Sequence, residues 1–319
     1  MTYTSGMRCL LIGNYGVGNL GDEALREYFQ RRFPDVHWTV VTVDGTGMHE
    51  VPRLPLGLRS LFKPWWKTLA AMWQSDAVVF GGGSLFTDIE SVFACVLWGW
   101  HALVARLCRK PVLLAFQGIG PFRTKTGEGI ARWVISHASF LSVRDAASFA
   151  RVKSWRKHTN VVQTSDPVIL LLLEQNRVMQ PKNVLTIIPR GKPAHSFISR
   201  AQELGTDTSF ETVFILSLNP DAEDERAVCR SLEASIPGAS IREIRSLDAL
   251  ISAIAGSSFV LSARYHGALA ALALGVPYEA VPQGEGDKLA SLRSISSPDA
   301  LRISALEGEK VLREVLCNS

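Results

Sequence analysis

Short apolar runs recur along this chain, and each leads at once into a glycine-rich or polar segment and then a helical pattern. Such units begin near residues 8, 76, 111, 140, 184 and 257. Neighbouring parallel strands need a crossover connection, usually a helix, and these crossovers are right-handed. The alternation therefore predicts an α/β protein with parallel sheets, whose ligand-binding loops lie at the carboxyl ends of the strands.

The length of the chain predicts two such domains. A chain of 319 residues is too long for one ordinary core, and its hydrophobic content of 47% is enough to fill two. Residues 175–183 are polar and include Pro181, which is typical of a linker. We predict an N-terminal Rossmann-like domain over 1–175 and a C-terminal one over 176–319, facing each other across a cleft.

The segment 257–277, SSFVLSARYHGALAALALGVP, is the clearest strand–loop–helix unit. It predicts a buried strand at 259–261, a helix from Gly267 to Leu274, and a loop between them that carries Arg264 and His266. The helix N-terminus favours an anion beside these two side chains. An ordinary corner with a surface arginine and a hydrogen-bonded histidine fits the same residues equally well.

The first strand is followed by GNYGVGNLGDEAL, residues 13–25. Its glycines, among them Gly16, Gly18 and Gly21, allow the backbone to approach a ligand closely, and Asn19 and Asp22 add polar groups. Residues 16–21 also match the dinucleotide fingerprint G-x-G-x-x-G. Asp44 lies after the next strand, near the sequence position where that fingerprint places the acid that binds the ribose. A single match of this kind is weak, so nicotinamide binding stays an alternative.

Further glycines and polar groups stand at the predicted carboxyl ends of other strands, and they are Gly82, Gly83, Ser84, Gln117, Arg144 and Arg190. Lys288 lies in a glycine-rich loop that leads to a late helix. For Arg144, an ion pair with the adjacent Asp145 is the structural alternative. We predict that these residues line the cleft.

Composition excludes several classes of protein. A net charge of +4 gives no broad basic surface for nucleic acid. The five cysteines form no C-x-x-C pair, which argues against zinc and fits a reduced, cytoplasmic protein. The N-terminal apolar run is too short for a signal peptide, and residues 92–105 fall short of a membrane span.

Residues 58–73 mix basic and aromatic side chains, Arg59, Lys63 and Lys67 with Phe62, Trp65, Trp66 and Trp73. We predict a partly buried helix whose indole rings pack inward, because tryptophan is usually largely buried. A surface that contacts the membrane interface or stacks on sugars is the alternative.

These segments together resemble the polysaccharide pyruvyl transferase family. The resemblance rests on GNYGVGNLGDEAL, FGGGSLFTD, QGIGP, SVRD, SDP, IIPR, SARYHGALAALALGVP and the DK at residues 287–288, in the order of the family. It implies the two-domain architecture of GT-B glycosyltransferases. It also implies transfer of a pyruvyl group from phosphoenolpyruvate onto two sugar hydroxyls, with a cyclic ketal formed and phosphate released.

The resemblance further implies the roles of the residues at the rim. The donor site would contain Arg144, Arg264, His266 and Lys288, and we add Arg190 as a donor-binding candidate. The acceptor would face Asp22 and the cleft loops, with Gly16, Gly18, Asn19, Gly21, Gly82, Gly83, Ser84 and Gln117.

The chemistry of the donor fits these residue types. Phosphoenolpyruvate carries a carboxylate and a phosphate, and guanidinium groups bind both in a bidentate manner. Imidazole groups in general can give or take a proton at physiological pH, so His266 is a candidate general acid or a stabiliser of the leaving phosphate, and Asp22 is a candidate base. We expect no metal and no cofactor, because the arginines offset the charge of the phosphate.

Three other functions remain open from the sequence: a GT-B glycosyltransferase that uses a nucleotide sugar, an NAD-dependent oxidoreductase, and a non-catalytic sugar-binding protein. The predicted helix from Gly267 to Leu274 contains no acid to bind a ribose, which counts against the first. The expected partners are phosphoenolpyruvate and a cell-surface polysaccharide sugar or its precursor, with a lipid-linked acceptor as one form and no nucleic acid. We expect a cytoplasmic protein, with peripheral contact at the inner face of the membrane as a further hypothesis.

Overall fold

The computed structural model describes residues 6–155, 160–174, 183–284, 288–292, 295 and 297–317. Strands and helices alternate along these residues, as the sequence predicts. The strands are β1 (Arg8–Tyr15), β2 (His37–Thr42), β3 (Glu50–Pro52), β4 (Ala77–Phe86), β5 (Val112–Ile119), β6 (Phe140–Val143), β7 (Val161–Gln163), β8 (Val184–Ile188), β9 (Thr212–Ser217), β10 (Ala239–Glu243), β11 (Phe259–Ser262) and β12 (Tyr278–Ala280).

The α-helices fill the connections between these strands. They are α1 (Leu20–Arg32), α2 (Trp66–Gln74), α3 (Val92–Leu107), α4 (Lys125–His137), α5 (Ala146–Ser154), α6 (Val168–Leu173), α7 (His195–Gly205), α8 (Glu223–Ser235), α9 (Leu247–Ala255), α10 (Tyr265–Ala273), α11 (Leu289–Leu292) and α12 (Pro298–Cys317). A short 3-10 helix covers Leu58–Phe62. None of the helices in the described part of the chain is both long and apolar enough to cross a membrane.

The chain packs as two compact units. Unit 1 contains the described residues of Met1–Val17, Leu25–Pro167 and Ile303–Ser319, and unit 2 contains those of Gly18–Ala24 and Val168–Arg302. The division predicted at 175/176 differs, because residues 18–24 pack with unit 2 and the last helix packs on unit 1. There Glu309 of α12 accepts hydrogen bonds from Tyr28 (3.0 Å) and Arg32 (3.0 Å). Residues 175–182 of the predicted linker lie outside the described residues.

Unit 1 is built on a seven-stranded parallel sheet in the order β3-β2-β1-β4-β5-β6-β7. Its central strands are buried along nearly their whole length, as expected for strands covered by helices on both faces. The direction of strand addition reverses between β1 and β4, and ligands bind beside such a switch point in open α/β sheets.

Unit 2 is built on a five-stranded parallel sheet in the order β10-β9-β8-β11-β12. Here the direction reverses between β8 and β11, which are hydrogen-bonded neighbours from Phe259 and Leu185 to Ser262 and Ile188. Arg190 follows β8 and Arg264 follows β11, so both stand at the carboxyl edge beside the switch point. The prediction of two parallel-sheet α/β domains is confirmed.

Three local predictions are wrong. The helix predicted over 58–73 is divided, because Pro64 separates the 3-10 helix from α2 and Lys63 lies in the extended region. The indole rings of Trp66 and Trp73 do not pack inward but are 58% and 68% exposed. The glycines at 81–83 do not follow β4 but lie inside it, before an irregularity in its pairing with β5.

Candidate active site

The start of α1 is fixed by Asn19. Its carbonyl oxygen accepts hydrogen bonds from the backbone N–H groups of Asp22 (3.0 Å) and Glu23 (3.2 Å). Its side-chain amide donates to Asp22 Oδ2 over 2.8 Å. The next residue, Leu20, donates its backbone N–H to the carbonyl oxygen of Leu218, which follows β9 in unit 2. The carboxylate of Asp22 is therefore oriented by a capping residue, and the helix start is tied to unit 2.

Gly21 lies against the imidazole ring of His266. A Cβ atom at position 21 would overlap the Nδ1 and Cε1 atoms of that ring, so only glycine allows this approach. His266 lies in the first turn of α10 rather than on the loop before it, because the helix begins at Tyr265. The structure thus brings Gly21, the residue before Asp22, against His266 where the N-termini of two helices meet, and each N-terminus carries partial positive charge.

Arg264 precedes α10 as its N-cap residue, and its guanidinium forms an ion pair with Glu225 of α8. Glu225 is fully buried and also accepts hydrogen bonds from Ser217 Oγ (3.0 Å) and the Asn219 backbone N–H (2.7 Å). Around Arg264 Nε, the described residues supply no acceptor. The ion pair with Glu225 therefore fixes the orientation of the Arg264 guanidinium. Glu225 was not among the site residues predicted from the sequence.

The charge of Glu225 acts in a buried environment. Burial, together with the nearby Glu225 carboxylate, raises the pKa of the neighbouring Cys229 thiol to about 12. Helix α8 begins with three acids, Glu223, Asp224 and Glu225. Such a run suits any helix N-terminus, so the sequence does not reveal which acid turns inward.

Three further predicted residues, Gly18, Arg190 and Lys288, belong to unit 2. Gly18 lies against the side chains of Asn219 and Asp221, in the turn after β9. Arg190 follows β8, the strand next to β11. Lys288 lies in the turn before α11. Residues 285–287, which belong to the glycine-rich loop before Lys288, lie outside the described residues.

A second cluster lies in unit 1 at the carboxyl ends of β4, β5 and β6. Arg144 is 8% exposed and forms an ion pair with Asp166, which is 1% exposed. An Nη atom of Arg144 also lies 3.4 Å from Ser84 Oγ. The structural alternative for Arg144 and Asp145, a local ion pair with helix capping, holds in part: Asp145 caps α5 by accepting the N–H of Ser148 at 2.7 Å, whereas Arg144 pairs with Asp166. From the sequence, Asp166 entered only as part of the SDP motif of the resemblance and not as the partner of Arg144.

Gln117 is fully buried beside this cluster. Its side-chain amide nitrogen donates to the backbone carbonyl oxygens of Phe80 (2.9 Å) and Ala115 (3.1 Å). Its backbone carbonyl oxygen accepts the backbone N–H of Arg144 at 3.1 Å. It therefore joins β4, β5 and the start of the Arg144 loop. Among the described residues, no group donates a hydrogen bond to its side-chain Oε1 atom.

Local backbone conformation and packing explain why glycine occupies several positions in unit 1. Gly82 and its neighbour Gly83 adopt positive φ angles of 82° and 83°. A Cβ atom at Gly82 would also lie 2.9 Å from Leu25 Cδ2. Gly16 follows β1 in the turn beside Thr42. Contact of these glycines, Ser84 and Gln117 with an acceptor stays a prediction, as does the sharing of one donor site by Arg144 and Arg264.

Among the residues that the structure describes, no group of three or more histidine, cysteine, aspartate or glutamate side chains is arranged to hold a metal ion. The cysteines at 9, 95, 108, 229 and 317 are free thiols.

Solved structures share this fold. The Anabaena protein HepE in complex with UDP-glucose is 12% identical, with a TM-score of 0.62 over 98% of this chain and 100% of that one. The UDP-GlcNAc 2-epimerase of Neisseria meningitidis bound to UDP-GlcNAc is 14% identical, with a TM-score of 0.58 over 98% and 100%. At these identities the likeness establishes the GT-B-like fold and nothing about ligands.

Comparison with known sequences establishes the family of this protein. The amylovoran biosynthesis protein AmsJ of Erwinia amylovora is 36% identical over 75 residues, which is 24% of this chain and 17% of AmsJ. The chain thus spans well under a fifth of that relative's length in the match. A sequence model of the polysaccharide pyruvyl transferase family matches residues 19–277. This match covers most of the chain, including Asp22, Arg144, Arg264 and His266, and the protein therefore belongs to the polysaccharide pyruvyl transferase family.

Proposed function

We propose that this protein is a pyruvyl transferase of polysaccharide biosynthesis that moves the pyruvyl group of phosphoenolpyruvate onto two hydroxyls of one sugar. The products are a cyclic ketal and inorganic phosphate. The observation that carries the proposal is the contact in unit 2 of Gly21, next to Asp22, with His266, two residues from the fixed guanidinium of Arg264, all within the segment that the family model matches.

The donor is a small dianion or trianion, and the site supplies matching donors of hydrogen bonds. Arg264 is held in one orientation by Glu225, so its remaining N–H groups are preorganised for a carboxylate or phosphate. The N-termini of α1 and α10 add backbone N–H groups and partial positive charge. Arg190, Lys288 and Arg144 are the further cations that we assign to the donor.

The reaction needs one proton delivered and two removed. Protonation of the methylene carbon of phosphoenolpyruvate makes its C2 electrophilic, and the first sugar hydroxyl bonds to C2 and gives up its proton. The second hydroxyl then bonds to C2 as the C2–O bond to phosphate breaks, which closes the ketal, and the proton of this hydroxyl leaves with the phosphate as hydrogen phosphate. We assign proton transfer or stabilisation of the leaving phosphate to His266, and proton removal from a hydroxyl to Asp22, whose carboxylate Asn19 orients.

The acceptor in this proposal is a sugar of a cell-surface polysaccharide or its precursor, carried on a nucleotide or a lipid. The solved structures of the same fold hold UDP-sugars, so a glycosyltransferase is the competing function. Helix α10 contains no acid along Tyr265–Ala273 to bind a ribose, and this favours the pyruvyl donor. No metal or organic cofactor has a role in the proposed steps.

The test is phosphate release from phosphoenolpyruvate in the presence of a panel of sugar, nucleotide-sugar and lipid-linked sugar acceptors. We expect acceptor-dependent release, and His266→Gln should lower turnover by about 10²–10⁴-fold. The matched control is His195→Gln, because His195 is exposed at the start of α7. Release of UDP from UDP-sugars, with no phosphate released from phosphoenolpyruvate, would establish the glycosyltransferase instead.

A further inference from the structure

The segment 58–73 of unit 1 exposes an unusual amount of apolar surface. The large side chains involved are Leu58, Leu61, Phe62, Trp66, Leu69 and Trp73, which are 81%, 51%, 90%, 58%, 37% and 68% exposed. We call these six residues the aromatic face. Single exposed apolar residues are common on proteins, but six large ones within sixteen residues indicate a surface that binds something.

The fold sets the direction of this face. In α2, Trp66, Leu69 and Trp73 follow the i, i+3, i+7 spacing that places side chains along one side of a helix. The opposite side holds Thr68 and Met72, both fully buried. Thr68 donates its hydroxyl to the carbonyl oxygen of Pro52, and Met72 packs into the core of unit 1. The helix is thus anchored by its buried side, and the aromatic face points to solvent.

Helix α3 extends the exposed apolar surface. Phe93, Trp100 and Leu107 are spaced by seven residues and are 54%, 36% and 70% exposed. The connections β3-to-β4 and β4-to-β5 advance in the same direction across the sheet, so right-handed crossovers place α2 and α3 on the same side. Met72 of α2 and Trp98 of α3 belong to one hydrophobic cluster. The two exposed stripes therefore lie on the same side of unit 1.

The segments that carry these helices are basic, with acids only at their edges: Asp76 follows α2, Glu90 precedes α3, and Asp44 pairs with Lys63 over 2.7 Å. Residues 52–75 contain four basic residues and no acid, and residues 91–127 contain five basic residues and no acid. Lys67 is exposed beside Trp66 on α2. Helices that lie in an anionic membrane surface combine aromatic rings, which sit at the level of the lipid headgroups, with basic side chains beside them.

We propose that the aromatic face docks on an anionic lipid bilayer, with α2 lying in the interface and the basic residues contacting the headgroups. A second copy of the chain is a poorer occupant. A two-fold contact through this face would place like charges against each other, with no acid from either segment to offset them. The inference is independent of the proposed activity.

The experiment is flotation of the purified full-length protein with vesicles of equal parts phosphatidylcholine and phosphatidylglycerol, beside vesicles of phosphatidylcholine alone. We expect binding to the anionic vesicles and little to the neutral ones. The double variant Phe62→Ser/Trp66→Ser should bind at least about ten-fold more weakly, and Lys67→Glu about five-fold or more. The matched control is Ile303→Ser, since Ile303 is 52% exposed on α12.

Three results would overturn the inference. The first is flotation of the double variant, folded by circular dichroism, to the same extent as the unmodified protein. The second is failure of the unmodified protein to float with anionic vesicles. The third is self-association in sedimentation equilibrium that the double variant loses while vesicle binding is unchanged, which would make the face an interface between copies. Weaker flotation of the double variant with Ile303→Ser unchanged supports the proposal, whatever the enzymatic assay shows.

Discussion

Replacement of Glu225 by alanine should destabilise unit 2 alone. The change removes a fully buried carboxylate that accepts from Ser217 Oγ, the Asn219 N–H and the Arg264 guanidinium. Breaking a fully buried ion pair costs about 3–5 kcal/mol. Because the Arg264 side chain is 21% exposed, water can partly solvate it, and we place the loss at about 3 kcal/mol. Glu225→Gln keeps one oxygen acceptor and should lose less.

The assay can separate the two units, because all eight tryptophans of the chain lie in the residues of unit 1. Urea unfolding followed by tryptophan fluorescence therefore reports on unit 1, and backbone hydrogen exchange of 212–232 reports on unit 2. Glu225→Ala should speed exchange in β9 and α8 and leave the fluorescence transition in place. Glu223→Ala is the control, since the Glu223 side chain is 85% exposed. Equal exchange in the two variants would refute the role assigned to Glu225.

Three further predictions concern stability and domain structure. Burial lowers the pKa of His101 to about 4. Between about pH 4 and 6.5 the unfolded chain therefore binds a proton at this histidine that the folded chain does not, and the free energy of unfolding should fall by about 3 kcal/mol as the pH drops through that window. Urea unfolding of His101→Gln should lack this part of the pH dependence. Asp166→Asn should lower the stability of unit 1 by about 3 kcal/mol, because it leaves Arg144 buried without its charge partner, and an unchanged fluorescence midpoint would contradict this. Limited proteolysis should cut first within 175–183, with the two fragments eluting together because α12 packs on unit 1; a first cut inside a β-strand would contradict the predicted linker.

The order of strands and helices could be predicted because it depends on short-range patterns. Buried parallel strands appear as continuous apolar runs, and each run is followed by a helix long enough to cross back. The same patterns located Arg264 and His266, since both follow a clear strand. They placed His266 on a loop because Tyr265 and His266 have modest helix propensities, whereas the structure starts α10 at Tyr265.

The neighbours of Arg264 and Arg144 could not be predicted, because they depend on contacts between distant segments. Glu225 and Asp166 are each buried partners of an arginine, 39 and 22 residues away along the chain. Acids are rarely buried, so composition and periodicity assign both to the surface. The packing of Gly21 against His266 joins opposite ends of the chain, and no local pattern carries that information.

The two arginines share an arrangement that bears on how an anion would be held. Each guanidinium is oriented by a carboxylate whose own side chain has no solvent exposure, so its direction is fixed before a ligand arrives. Each pair has little net charge, and anion affinity must then come from the remaining N–H groups, the imidazole of His266 and the helix N-termini. A lysine at either position would present a single ammonium group, which cannot bond a carboxylate on one side and keep a planar set of donors on the other. The buried acids thus explain why arginine, rather than any cation, suits positions 144 and 264.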